Sequence, residues 1–240
     1  HQNLIKVLDS AKKREDIKQR YNAKLKLKNR QRADMISAIA HEFRNPIASI
    51  MGYSQTLEED KEIPQALQEK FLGKIYNNGI NIEALLSRLV LWNKFESGEA
   101  TLHPSNFDLY ALVNEVKTAL EERYQNRVIV LEGSTYMVDA DRTLLEIVLK
   151  NLMENALKYS KDEILVKIDA GNVSVIDKGT GISSSDISKV TKKFYRSGTH
   201  SWDNSMGLGL SIVKRILALH GTELEIESEE EQGSTFSFHI

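Results

Sequence analysis

At 240 residues, 41% of them hydrophobic and 28% charged, the chain is long enough for one large or two ordinary domains and too apolar to be disordered. It has no cysteine, which excludes disulfides, thiolate metal sites and a cysteine nucleophile. Its net charge of −2 conceals an asymmetry, since residues 1–32 carry 11 Lys and Arg against 3 Asp and Glu and leave 21 against 31 in the remainder.

Leu4, Leu8 and Ala11 begin a helical stripe that resumes at Ile17, Tyr21 and Leu25, and with no proline before Pro46 the pattern predicts one long helix to about Glu58. Its basic start has few aromatics and no base-reading motif. A solvated helical linker is therefore expected there, and no nucleic-acid partner. No run approaches the roughly 18 apolar residues of a membrane span and no signal peptide opens the chain, so a soluble piece is expected.

Within that helix, Ile36, Ile39, Phe43, Ile47, Ile50 and Leu57 share one face. Measured from Ile36, His41 falls at about 140° and Asn45 at about 180°, which puts the imidazole in water while its neighbours pack. A lone histidine is ordinarily a surface or core residue. Here Glu42 supplies a carboxylate, and a carboxylate that holds one ring N–H leaves the other nitrogen a lone-pair nucleophile. Adjacent helical residues do not face each other, so Glu42 is expected to act in a substrate complex. Pro46 removes the hydrogen bond to the Glu42 carbonyl and is expected to bend or loosen the helix one turn past His41.

The polar run Glu58–Pro64 reads as a turn, with Pro64 suited to a first helical turn. A second helix follows on Leu67, Phe71, Ile75, Asn78, Ile82, Leu85, Leu89 and Trp92, a heptad-like seam. Two antiparallel helices have one face each to offer the other and leave apolar surface exposed. The pattern predicts a homodimer, two hairpins making a four-helix bundle.

Composition shifts at Ser97–Pro104, the expected domain boundary. Beyond it a helix is expected from Phe107-Asp108-Leu109 to about Gln125, then strands at Arg127–Glu132 and Tyr136–Val138, and a helix over Asp141–Tyr159. Ile164–Asp169 and Asn172–Asp177 resemble a hairpin around Ala170-Gly171. Helices at Ser184–Val190 and from Gly209 to about His220 precede strands at Glu223–Glu227 and Thr235–Ile240. This is an α+β chain, its second part a helix layer on a mostly antiparallel sheet, an α/β sandwich. The six glutamates after Thr222 make a solvated edge.

Three stretches of this second part carry polar chemistry. In Asn151-Leu-Met-Glu-Asn155-Ala-Leu-Lys158-Tyr159, helical phase places Asn155 inside the apolar arc and Asn151 on its edge. Two amides one turn apart with Lys158 on the same flank suit a metal–phosphate complex, although one buried amide alone is ordinarily a structural hydrogen bond. In Asp177-Lys-Gly179-Thr-Gly181, the glycines let backbone approach a ligand and Asp177 can accept from an exocyclic amine, although such a run is also found in many turns. Gly207-Leu-Gly209-Leu210-Ser211 opens a helix whose N–H groups favour phosphate, with a tight turn as the plain alternative. Between them, Lys192-Lys-Phe194-Tyr-Arg196 and the loop to Met206 read as a mobile lid with basic residues near the phosphates.

Taken together, these stretches resemble the catalytic core of a two-component sensor histidine kinase: a histidine box, an N-box, two glycine boxes and a phenylalanine box in family order. The resemblance implies a signalling helix over residues 1–29, a dimerisation and histidine-phosphotransfer domain over 30–97, a linker over 98–104 and a Bergerat-type ATP-binding domain over 105–240. It implies ATP and Mg²⁺ as cofactors, His41 as phosphoacceptor, Asn155 and Asn151 serving Mg²⁺, Lys158 and Tyr159 near phosphate or ribose, and Asp177 reading the adenine amine. Glu42-Phe-Arg-Asn45 is similar to the ExxN pattern with which the family dephosphorylates its partner, Asn45 orienting a water. The implied partner is a response regulator receiver domain. The implied location is cytoplasmic, whether free or as the cytoplasmic part of a membrane-anchored receptor, and membrane contact is expected only through a sensor region absent from this chain. The phenylalanine box departs from the family at Thr191, and the lid reads Asn204-Ser205-Met206-Gly207 where more glycine is usual. A rival reading is a Bergerat-fold ATP switch on a coiled coil, hydrolysing ATP with an N-box carboxylate such as Glu154. Such a switch has no reason to contain His41-Glu42-Phe-Arg-Asn45-Pro46.

Overall fold

The computed structural model describes residues 2–60, 62–193, 195 and 207–240. Its contacts divide the chain into two compact units, residues 1–82 and 83–240. Among the described residues no helix is long and apolar enough to cross a membrane.

The first unit is built on α1 (Gln2–Glu59), which continues through Pro46, as the unbroken apolar period predicts. Pro64 stands immediately before α2 (Gln65–Ser97) rather than inside its first turn, its carbonyl accepting from Leu67 N–H at 2.8 Å and Gln68 N–H at 3.1 Å. The Tyr53 and Phe71 rings, 5.2 Å apart at their centroids, pack the two helices as a hairpin. A hairpin can cover only one side of each helix. Ile36 and Ile47, expected on the packed face, are accordingly 60% and 44% exposed, and Met51, Leu72 and Tyr76 are more than half open to solvent.

The second unit takes in the last turns of α2 and then β1 (Ser105–Asp108), α3 (Leu109–Arg123), β2 (Ile129–Glu132), β3 (Met137–Ala140), α4 (Arg142–Tyr159), β4 (Ile164–Asp169), β5 (Asn172–Asp177), α5 (Ser184–Ile187), α6 (Gly209–Leu219), β6 (Glu225–Glu229) and β7 (Gly233–His239). Strands β2-β4-β5-β7-β6 form a five-stranded sheet, parallel only at β2–β4, while β1 pairs antiparallel with β3. The helix layer on a mostly antiparallel sheet is the architecture expected. β1 was not anticipated, because a four-residue strand is specified by its distant partner, Phe107 opposite Val138, rather than by its own pattern. Both the expected Ser184–Val190 helix and the expected Glu223–Glu227 strand shift at their ends. The first gives way to successive turns closed on Asp186 and Lys189, and the second is placed by pairing of Glu225 with Ser237.

α4 is the centre of this unit. Asp141 caps it, accepting from Leu144 N–H at 3.0 Å and from His103 N–H at 2.9 Å, so the segment leading out of α2 is tied to the helix start. Leu145, Val148, Leu149 and Leu152 are fully buried, each contributing about 2 kcal/mol of transfer free energy. They lie among α3, α6 and the inward faces of β4 and β5. On β5 the inward series is Val173, Val175 and then Asp177, with only 5% of the aspartate exposed. Strand alternation thus delivers a carboxylate to the end of an apolar row.

Candidate active site

In the first unit His41 is exposed and Glu42 is buried, so the two side chains leave α1 on different sides, as helical neighbours do. Asn45, one turn on, is half-buried, and Pro46 is buried. The phase argument for a solvated imidazole therefore holds. Glu42 is the one whose burial the apolar pattern did not show.

In the second unit the expected residues converge where the C-terminal half of α4, the end of β5 and the start of α6 meet. Helical phase misjudged the two amides: Asn151 is the buried one, 7% exposed, and Asn155 is half-buried. Packing against α3, α6 and the sheet rotates the buried arc toward Leu149, Met153 and Ala156, which leaves Asn155 at its rim, while the start of α6 closes over Asn151. The Asn151 amide nitrogen donates to Ile147 O at 2.7 Å. Its oxygen faces Gly209, where a Cβ would stand 2.8 Å away. N-box and second glycine box therefore touch through an amide oxygen. Among the described residues no group of three or more His, Cys, Asp or Glu is placed to hold a metal ion. Amide oxygens one turn apart on α4 are hard ligands of the kind that suits Mg²⁺, which keeps several of its waters, and the Asn151 oxygen lies against Gly209 at the start of α6.

Asp177 accepts from Gly179 N–H at 2.8 Å and from the Ser234 N–H. Burial pushes its carboxyl up from the ordinary aspartate value, and those two backbone donors pull against the rise. The part played by Ser234 had no signal in the sequence, since only the β5–β7 register sets Asp177 opposite Ser234. The Tyr159 carbonyl receives Thr180 N–H at 3.3 Å, and a Cβ on Gly179 would lie 2.3 Å from that oxygen. The end of α4 and the first glycine box are thus one packed corner. Tyr159 itself is 47% exposed, with the Lys158 ammonium 5.4 Å from its ring centroid.

The glycines of that box also make room for protein backbone. At Gly181 φ is +63°, and a Cβ would come within 1.9 Å of Glu229 O at the end of β6. Gly181→Ala is expected to cost about 3 kcal/mol through strain and overlap. Urea denaturation checks this, and an unchanged midpoint would contradict it.

Gly207 and Leu210 are half-buried on either side of buried Leu208 at the start of α6. Arg196, Phe194 and Asn204–Met206 lie outside the described residues. Lys193 is ion-paired with Glu96. Glu154, the carboxylate that the rival reading requires, is held on both oxygens, by Arg88 at 3.1 Å and Arg123 at 3.0 Å. Neither arginine was anticipated as its partner, because residues 88, 123 and 154 are brought together only by the packing of three separate helices.

Residues 31–98 match the His Kinase A (phospho-acceptor) domain, and residues 140–240 match the histidine kinase-, DNA gyrase B-, and HSP90-like ATPase domain. Over 220 residues the chain is 32% identical to the phosphate regulon sensor protein PhoR of Haemophilus influenzae, covering 87% of this chain and 51% of that protein. It spans 25% of the length of another curated relative, the sensor protein KdpD of Clostridium acetobutylicum. The histidine kinase AdeS of Acinetobacter baumannii superposes with a TM-score of 0.64 at 25% identity, over 83% of this chain and 96% of that one.

Proposed function

This chain belongs to the two-component sensor histidine kinases, and on that premise we propose that it transfers the γ-phosphoryl group of ATP to His41 and passes it on to an aspartate of a response regulator. The observation that carries this reading is an imidazole in water on a helix whose flanking residues pack. In the transfer, a ring nitrogen lone pair forms the new N–P bond as the bond from the γ-phosphorus to its bridging oxygen breaks, and ADP leaves. The attacking nitrogen has no proton to lose. Positive charge develops on the ring, and Glu42, which is buried on another side of α1, has to turn toward the remaining N–H in the substrate complex to hold it. Such transfer is chiefly positioning and charge neutralisation, which is why amides, glycine turns and one nucleophile suffice.

In the nucleotide pocket, Asp177 accepts from the adenine amine, Gly179 and Gly181 shape its floor, and Lys158 and Tyr159 stand beside phosphate or ribose. The N–H groups from Gly207 to Leu210 face phosphate at the start of α6. Asn155 and Asn151 hold Mg²⁺, which when bound neutralises the phosphate oxygens. The apolar residues left open on α1 and α2, Met51, Leu72 and Tyr76 among them, are the seam for a second copy of the chain, giving a four-helix bundle. A relative supports the regulator as partner. The histidine kinase ThkA, solved in complex with the response regulator protein TrrA, has a TM-score of 0.59 at 25% identity, over 86% of this chain and 60% of that one.

The test is the chemistry of the label. With γ-labelled ATP the protein is expected to carry phosphate that acid releases and base does not, whereas free phosphate without labelled protein would favour an ATP switch. Asn45→Ala is expected to leave this labelling within about twofold while slowing regulator dephosphorylation by at least about tenfold, since it removes a water-orienting amide rather than the nucleophile. Equal loss of both activities overturns that division.

A further inference from the structure

Arg88, Trp92 and Glu96 leave α2 at i, i+4 and i+8, a single stripe along its last turns. Every member of the stripe is engaged by the body of the same unit. Arg88 meets Glu154 of α4 at 3.1 Å, directly beside Asn155. Glu96 receives Arg215 of α6 at 2.9 Å and is paired with Lys193 as well. Between these ends, the Lys193 ammonium lies 5.4 Å from the Trp92 ring centroid. From the end of α2 at Ser97 to the start of β1 at Ser105 the backbone forms no helix or strand. The stripe therefore bridges that segment, tying the helix before it to α4, α6 and Lys193 after it.

We propose that Arg88, Trp92 and Glu96 form an autoinhibitory latch, which immobilises the Ser97–Pro104 joint and occupies Lys193 with a protein carboxylate in place of nucleotide phosphate. The proposal rests on the kinase reading in one respect: Lys193 belongs to the basic run that this reading sets near the phosphates. A carboxylate against the Lys193 ammonium offsets the charge that would attract a phosphate and repels the phosphate itself, so Glu96 and the polyphosphate compete for the same cation. By reciprocity, the latch weakens nucleotide binding by the factor with which nucleotide loosens the latch. The pairs are partly exposed, Glu96 at 32% of its side chain, Lys193 at 37% and Arg215 at 48%. Such pairs are individually weak and screened by salt. Grouped on one stripe they hold a joint closed, yet they separate easily.

Glu96→Gln keeps the shape of the side chain and removes its charge. Hydrogen exchange of Ser97–Ala100 without nucleotide is expected to quicken by about tenfold. Affinity for Mg·ATP and the initial rate of His41 labelling are each expected to rise by about fivefold at low salt, the gap from the parent chain closing as salt is added. Arg88→Gln is expected to quicken exchange in the same way. Unchanged exchange in both variants, or affinity for Mg·ATP no higher in Glu96→Gln than in the parent, overturns the latch, and so does labelling no faster in Glu96→Gln wherever the parent is labelled. Exchange and affinity are read without any phosphoryl transfer. A protein in which His41 is never labelled therefore overturns the kinase reading, while the latch is still judged by the other two measurements.

Discussion

Replacement of His41 by glutamine is expected to reduce incorporation of label from γ-labelled ATP by at least about a thousandfold, to background. Glutamine matches the imidazole in reach and hydrogen bonding but has no nitrogen lone pair free to attack phosphorus. Because His41 is exposed on α1 and buries nothing, the substitution should change stability by no more than about 0.5 kcal/mol. Nucleotide affinity should stay within about twofold, since every residue assigned to the pocket lies in the other compact unit. Labelled protein in this variant would reject the assignment of the nucleophile, whereas loss of nucleotide binding along with the label would point to a fault in the fold.

The second large effect is expected at Asp177. Its carboxylate already accepts from Gly179 and Ser234 N–H groups, and an ionised carboxylate has lone pairs left for a third donor, the adenine amine. In Asp177→Asn one oxygen becomes an NH₂ group, so at least one donor must face another. A hundredfold loss of nucleotide affinity, about 2.7 kcal/mol, is the expected result by isothermal titration. The parent chain should show a matching pH dependence. Because burial raises the Asp177 value, protonation begins at a higher pH than for an ordinary aspartate, whose value is 3.8, and affinity should fall as pH is lowered through the raised value. For stability the sign is opposite. The contribution of this group is complete below 3.8 and is lost as pH rises through the raised value, so at neutral pH the ionised carboxylate is a cost that the fold carries for its pocket. Affinity that is flat across mildly acidic pH, or an asparagine variant that binds normally, would remove Asp177 from the adenine site.

Periodicity made much of this legible. A run of apolar residues through Pro46 was enough to predict α1, and alternation on either side of Ala170-Gly171 was enough for β4 and β5, whose observed ends are those expected. His41 could be placed in water from phase alone, because one partner helix defines one buried side. The same reasoning misplaced Asn151 and Asn155, because α4 is covered from three directions and its buried arc is not centred on its most apolar residues. The ion pairs of Glu154 and Glu96 join residues 31 to 119 positions apart and have no local signature. Ser234 meets Asp177 only through strand register. What the sequence could not show is, in each case, set by contacts between elements rather than within one.

The most direct measurement of the central claim is the position of the phosphoryl group. The chain is incubated with γ-labelled ATP and Mg²⁺, digested at neutral or basic pH to preserve an N–P bond, and fragmented in a mass spectrometer. Phosphate on the imidazole of His41, with no other modified residue, is the predicted result. Phosphate on a hydroxyl or carboxylate side chain, or ATP consumed with the protein unmodified, would contradict it.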